Sequence, residues 1–351
     1  MKTISFDKTT AKLLGRVIPR EEGLWLTHSA SGCEFIFTGK KLTLTLGCDP
    51  KTFGGAPRCN KPRMAVLVEG LPVVKKVIEE ESENFTVIDS SETVTRRVSV
   101  VKLSEMAFSL CRLSPAQTDD QAQIRAAEEL PLKISFIGDS ITCGYGVDDS
   151  NMQSDFSTEA ENAMKSYCWQ ACRILGADPE LYSYSGHGLI SGYTDDGTRN
   201  TREILTPWFE SVGSSYGRAG DLDPAELPWD FSARPSDVVI INLGTNDSSF
   251  CKLNEGGYEE FQEEYLRFIK TVRKCEPSAL IVCTMGIMET APMEQIRRAA
   301  ELSGDSRVTT FMFTTQDGTL GYGSNWHPSE DTQLRAGKEL AEFLAPLLNR
   351  R

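Results

Sequence analysis

The hydrophobic pattern changes period near residue 131, and this break constrains the fold more than any other feature of the chain. Upstream, apolar residues recur at every second position. Glu34-Phe35-Ile36-Phe37 leads to a turn at Thr38-Gly39-Lys40, and Leu42-Thr43-Leu44-Thr45-Leu46 then alternates strictly. Period two puts alternate side chains on one face, the mark of a half-buried strand. Met64 to Val68 and Val73 to Ile78 flank Glu69-Gly70-Leu71-Pro72 as a hairpin, and Phe85 to Ile88 and Val94 to Leu103 add strands. No long helical pattern interrupts them. Residues 1–115 are therefore expected to form a β-sandwich of jelly-roll type. Residues 116–130 are mostly polar and charged and show no strand pattern, so they are expected to form a linker.

Downstream, over residues 131–351, short apolar runs alternate with amphipathic helices. Ile134 to Ile137, Leu181 to Tyr184, Val238 to Leu243, Leu280 to Thr284 and Val308 to Phe313 read as buried strands. Tyr258, Phe261, Tyr265, Phe268, Ile269 and Val272 recur at helical spacing, as do Leu334, Leu340, Leu344 and Leu347. This alternation predicts an α/β domain of three layers, α/β/α, around a parallel sheet. Ligands of such sheets bind beyond the carboxyl ends of the strands.

Charge and cysteine use narrow the function classes. Fifty acidic side chains against 37 basic ones leave a net charge of −13, which argues against nucleic acid and anionic membrane surfaces as partners. No stretch approaches the roughly 18 consecutive apolar residues of a membrane span. Met1 to Arg20 holds no apolar run long enough for a signal-peptide core, so a cytoplasmic location is expected. The ten cysteines contain no C-x-x-C pair and are read as reduced core thiols. Cys168 and Cys172 share a helix face, but no further ligands join them, and no metal or organic cofactor is expected. Nothing in the pattern fixes an oligomeric state.

Four strand ends carry the chemistry. The first apolar run of the second half enters Gly138-Asp139-Ser140-Ile141-Thr142. A serine at a strand-to-helix turn exposes its hydroxyl beside backbone N–H groups that favour negative charge. That pairs a nucleophile with an anion-stabilising donor, although a lone serine there also reads as an ordinary helix cap. Ser185-Gly186-His187-Gly188 follows the second strand, where Gly186 can offer its N–H at close range. Gly244-Thr245-Asn246-Asp247 follows the third, and the Asn246 amide can donate to a developing oxyanion. Asn325-Trp326-His327-Pro328 precedes the last helix. Of the three histidines, His28 falls in the β half, where a structural or surface role is expected. His187 is expected to touch substrate or line the rim, and by elimination and position His327 is the base.

Together GDSIT, the glycine of SYSGHG, GTND and a late histidine resemble the SGNH (GDSL) hydrolase superfamily over residues 131–351. The resemblance implies that Ser140 is the nucleophile, that its N–H, the Gly186 N–H and the Asn246 side chain form an oxyanion hole, and that His327 is the general base. Asp139 and Asp247 then order loops. A narrower resemblance is to the family-two carbohydrate esterases. It is carried by Gly138 to Gly146, by Phe156-Ser157-Thr158-Glu159 with Glu161-Asn162 and Tyr167, and by Trp326-His327-Pro328. These enzymes join a jelly roll to an SGNH domain and remove acetyl groups from plant polysaccharides, which implies an acetylated xylan- or mannan-type poly- or oligosaccharide as substrate. Trp326, His187, Tyr145 and Trp208 are expected to bind it, and the segment Asp195 to Pro235 to border the groove.

In one respect the chain departs from both patterns. The aspartate usual three residues before the histidine is Ser324, and the one often found two before is Asn325. The expectation is a serine–histidine dyad, with a backbone carbonyl such as that of Asn325 accepting from the imidazole. Asp317 or Glu330 could serve only if the loop folds back. Two other readings stay open: a lipase- or thioesterase-like hydrolase of other short-chain acyl esters, and a catalytically inactive carbohydrate-binding protein.

Overall fold

The computed structural model describes residues 1–348. It divides into two compact units. The first holds Met1–Glu129 with the returning segments Ser157–Glu161 and Ser211–Leu227, and the second holds the remainder.

The first unit is an antiparallel β structure built on two long strands, β1 (Gly32–Cys48) and β4 (Glu83–Lys102). Between them in sequence lies the hairpin β2 (Arg63–Val68) and β3 (Leu71–Val77). Its turn tightens to Glu69-Gly70, both with positive φ, which suits a two-residue hairpin loop. The turn expected at Thr38-Gly39-Lys40 is instead a bulge within β1, where the register with β4 shifts between Gly39 and Lys41. The extra residue explains the sequence pattern. Phe35 and Phe37 are fully buried, and the burial resumes at Leu42, Leu44 and Leu46, out of phase by one. The Lys40 and Lys41 N–H groups left over by the bulge both donate to Asp119 Oδ2, at 2.7 and 3.0 Å. Likewise Phe85 to Ile88 and Val94 to Leu103 are one strand rather than two.

The linker expected at residues 116–130 is not a linker. Ala116–Thr118 (β5) and Gln123–Ala126 (β6) both pair antiparallel with β1. Their polar side chains hid the pattern, because only every second residue of so short a strand faces the core. The returning segments belong to this unit through irregular backbone bonds, such as Thr158 N to Cys59 O at 2.9 Å and Tyr216 N to Ala107 O at 2.8 Å. His28 is structural, fully buried with Nε2 2.9 Å from Val212 O.

The second unit contains five parallel strands: β7 (Leu132–Gly138), β8 (Ala177–Ser183), β9 (Val238–Asn242), β10 (Leu280–Met285) and β11 (Val308–Met312). Their order is β8-β7-β9-β10-β11, so the winding reverses beside β7. Gly138 at the end of β7 is level with Ser183 on one side and Asn242 on the other. The loops after three adjacent strands thus leave the sheet at one height, at the switch point where α/β sheets place ligands. The helices are α1 (Ser140–Cys143), α2 (Tyr167–Leu175), α3 (Thr245–Cys251), α4 (Gly257–Cys275), α5 (Met293–Leu302) and α6 (Glu330–Leu348). On α4 the residues Phe261, Tyr265, Phe268, Ile269 and Val272 are buried, as their spacing predicts. Helices α2 and α6 pack so closely that a Cβ on Gly337 would lie 2.6 Å from Gln170 Cβ.

Candidate active site

Ser140 opens α1 immediately beyond β7. Asp139 is the helix cap, and its side chain accepts from the Ile141 N–H at 3.0 Å. The turn is tight enough that a Cβ on Gly138 would sit 2.0 Å from Thr142 Oγ1. As the first residue of a helix, Ser140 carries an N–H with no acceptor in its own helix, directed with the helix dipole.

The wall opposite is built from the loops after β8 and β9. Gly186 has a φ of +76°, which favours glycine. Asn246 lies in the first turn of α3 and donates through Nδ2 to His187 O at 2.8 Å, leaving the second amide proton available. Asp247 holds this loop from behind: Oδ1 accepts from Leu189, Ile190 and Ser191 N–H at 2.8, 2.7 and 3.2 Å. Burial pushes the Asp247 carboxyl up to about 6, against the opposing pull of those three donors. Burial pushes Asp139 up to about 7, with the Ile141 N–H and Thr245 hydroxyl pulling down and the charge of Asp247 adding to the rise.

His327 comes from the loop before α6. Its Nε2 is 2.8 Å from Ser140 Oγ, and its Nδ1 is 3.0 Å from the backbone carbonyl of Asn325. A carbonyl can only accept, so Nδ1 carries the proton and the Nε2 lone pair faces the Ser140 hydroxyl. The carbonyl reaches the ring because Asn325 (φ 50°) and Trp326 (φ 60°) are both left-handed. Two consecutive non-glycine residues in that region cost about 1–3 kcal/mol each, strain of a kind concentrated at functional sites. The loop is pinned where Ser324 N donates to Gly146 O at 3.1 Å. Gln333 adds a brace, accepting from Tyr167 N at 2.8 Å and donating to Ile141 O at 3.1 Å, which ties α6 to α2 and α1.

Burial is the main influence on His327 and lowers its pKa to about 4, with the Asn325 and Ser324 backbone contacts pulling the other way. At neutral pH the imidazole is uncharged, as a base must be. The two carboxylates expected to reach it only through a folded-back loop are engaged elsewhere. Asp317 Oδ1 accepts from the N–H and hydroxyl of Thr319, and Glu330 pairs with Lys165.

Tyr145 requires a correction. It is buried rather than lining a groove, and its ring stacks on His327 with centroids 3.9 Å apart and planes 26° from parallel. Its hydroxyl accepts from Asn325 Nδ2 at 3.4 Å. It therefore fixes the plane of the His327 ring, a contact that a tyrosine five residues after the serine does not announce in sequence. Gln333 was also invisible, since a helical glutamine carries no motif. Of the other expected contacts, Trp326 is 48% exposed with its edge against Tyr322, and His187 packs near Tyr184 with Nδ1 2.9 Å from Ser185 O. Trp208 is partly exposed on the turn Thr206–Trp208. The segment Asp195 to Pro235 is divided, with Ser211–Leu227 belonging to the first unit.

A serine hydroxyl bonded to a buried neutral histidine at the switch point of a parallel sheet is the arrangement of an ester hydrolase. The sequence profile of the GDSL-like lipase/acylhydrolase family matches residues 136–331, and the chain belongs to that family. Among curated proteins it is 34% identical over 234 residues to the cellulase/esterase CelE of Acetivibrio thermocellus, covering 63% of this chain and 26% of that protein. The chain thus spans about a quarter of CelE. An acetylxylan esterase/glucomannan deacetylase of Cellvibrio japonicus is 25% identical over 344 residues, covering 92% of this chain and 87% of that one. Among solved structures, the acetyl xylan esterase Est2A of Butyrivibrio proteoclasticus superposes with a TM-score of 0.86 at 22% identity over 99% of this chain and 98% of that one. A family-two carbohydrate esterase from Clostridium thermocellum, in complex with cellohexaose, gives 0.82 at 24% identity over 97% and 99%. The two-unit fold is that of these esterases.

Proposed function

We propose that this chain is a serine esterase that removes O-acetyl groups from plant-derived poly- or oligosaccharides of xylan or mannan type through an acetyl-serine intermediate. The observation that carries the reading is the 2.8 Å contact between Ser140 Oγ and a His327 whose other nitrogen is fixed by a carbonyl. The name of the similar acetylxylan esterase/glucomannan deacetylase supports the acetyl-sugar substrate.

In the first step Ser140 Oγ attacks the acetyl carbonyl carbon and His327 Nε2 takes the hydroxyl proton. Negative charge develops on the carbonyl oxygen, where the Ser140 N–H, the Gly186 N–H and the free proton of Asn246 Nδ2 stabilise it. The imidazolium is held by the Asn325 carbonyl and the face of Tyr145. A carbonyl is a weaker partner than a buried carboxylate, and a stacked aromatic face adds cation–π attraction. The imidazolium then protonates the departing sugar oxygen. In the second step the neutral imidazole takes a proton from water, which attacks the acetyl-serine carbonyl carbon; the Oγ–carbon bond then breaks, acetate leaves and the imidazolium returns its proton to Ser140 Oγ. Trp326, His187 and Trp208 are proposed substrate contacts, and Asp139 and Asp247 order the loops. A reducing, cytoplasmic setting with imported oligosaccharides as substrates suits the ten thiols, eight of them buried as packing residues.

The test is acetate release from defined acetylated xylo- and manno-oligosaccharides by wild type and Ser140→Ala, with the deacetylated position read by NMR. Wild type should release acetate and the variant should not. Equal activity of the two, or a clear preference of wild type for octanoate esters over acetates, overturns the proposal.

A further inference from the structure

One charged side chain beside the site has no part in the scheme above. Glu203 is half-buried on a segment that folds back along the Gly186 loop, where Gly188 bridges Ile204 and Gly192 bridges Asn200. Its carboxylate fits between two glycines. A Cβ on Gly186 would lie 3.1 Å from Glu203 Oε2, and one on Gly192 would lie 3.0 Å from Oε2 and 2.5 Å from Glu203 Cβ. Gly186 needs to be glycine for its backbone as well, whereas Gly192 is not in the left-handed region. The room taken by Glu203 and Asn200 accounts for the missing side chain at 192. Asn200 Nδ2 donates to Oε2 at 2.7 Å and to Tyr193 O at 3.2 Å, so the carboxylate is oriented. Among the described residues Oε1 takes no protein donor, and no lysine, arginine or histidine pairs with the group.

A negative charge beside Gly186 works against an N–H that stabilises an oxyanion, because like charges repel. A group arriving with the substrate can offset it. A cation would, but an acetylated neutral sugar brings hydroxyls, and O–H to carboxylate bonds are among the stronger hydrogen bonds. Building on the esterase reading above, we infer that Glu203 is a specificity-determining residue whose Oε1 accepts a hydrogen bond from a sugar hydroxyl neighbouring the acetylated oxygen. The site then selects acetates of polyhydroxy alcohols over acetates of alcohols with no hydroxyl to offer.

Glu203→Gln keeps the shape and removes the charge. The experiment measures kcat and KM of wild type and this variant on phenyl acetate and on monoacetates of methyl β-xyloside. Asn200 Nδ2 will keep the amide oxygen at the Oε2 place, so an NH2 donor replaces the charged acceptor at the Oε1 place, and on the sugar acetates kcat/KM should fall about tenfold or more, mainly through KM. On phenyl acetate kcat should rise about threefold, because the oxyanion is no longer repelled. Opposite movement on the two substrates is something a merely structural role cannot produce. A parallel fall on both substrates, or an unchanged ratio between them, overturns this inference alone. A wild type active on phenyl acetate and inert on every sugar acetate overturns the substrate reading with it.

Discussion

Burial of His327 makes a sharp statement about pH. A histidine in water titrates near 6.5, so at pH 5 only about 3% of it is neutral. With its pKa at about 4, His327 would still be roughly 90% neutral at pH 5. If His327 is the base, kcat/KM for a small aryl acetate at pH 5 should stay close to its value at pH 7, where an ordinary histidine would leave about one twenty-fifth. The acid limb should bend near pH 4 to 5. The same burial weakens the fold in acid. The unfolded chain takes up the proton below about pH 6.5 while the native site refuses it until about 4, so stability falls across that window. Thermal unfolding at each pH therefore accompanies the rates. Asp139, pushed up to about 7, supplies the control. Its sign is opposite: the native state keeps that proton and the unfolded state does not, so its contribution fades as pH rises through 7. Asn at 139 keeps a capping oxygen and cannot titrate. An inflection between pH 6 and 7 in a folded protein, present in both wild type and Asp139→Asn, would refute the buried-base argument.

Three substitutions probe the rest of the site. If Asn246 is an oxyanion donor, Asn246→Ala removes about 2.7–4 kcal/mol of barrier stabilisation, so kcat for acetate release should fall on the order of a hundred- to a thousandfold with KM little changed. Asp247→Ala strips the acceptor from three buried N–H groups, each costing about 1–3 kcal/mol when unpaired, and calorimetry should record a loss of roughly 3 kcal/mol or more. Gly146→Ala puts a methyl group 2.4 Å from Ser324 Oγ at a φ of +67°. It should destabilise the protein by about 1–3 kcal/mol and, by shifting the His327 loop, lower kcat more than it raises KM.

Much of this protein was legible in its residues because the relevant physics is local. Period two in Leu42 to Leu46 and helical spacing from Phe261 to Val272 depend only on which face of an element is buried, and both elements formed as expected. That the loops carrying Ser140, Gly186 and Asn246 leave one end of the sheet could be read because each follows an apolar run, and parallel strands end together. Tertiary structure decided what depends on partners distant in sequence. Ala116–Thr118 and Gln123–Ala126 became strands by pairing with β1 and, for the first of them, also with Lys2–Ile4, and the bulge at Gly39 to Lys41 rests on Asp119, some 80 residues away. Ser157–Glu161 and Ser211–Leu227 return to the first unit through irregular backbone bonds that leave no periodic trace. The left-handed backbone at Asn325 and Trp326, with no glycine to announce it, turns a carbonyl toward the imidazole where a carboxylate was missing. Tyr145 looked like a substrate contact because sequence shows that a ring is present but not which way it faces. The folded chain stacks it on His327, since a buried base needs its plane fixed by something.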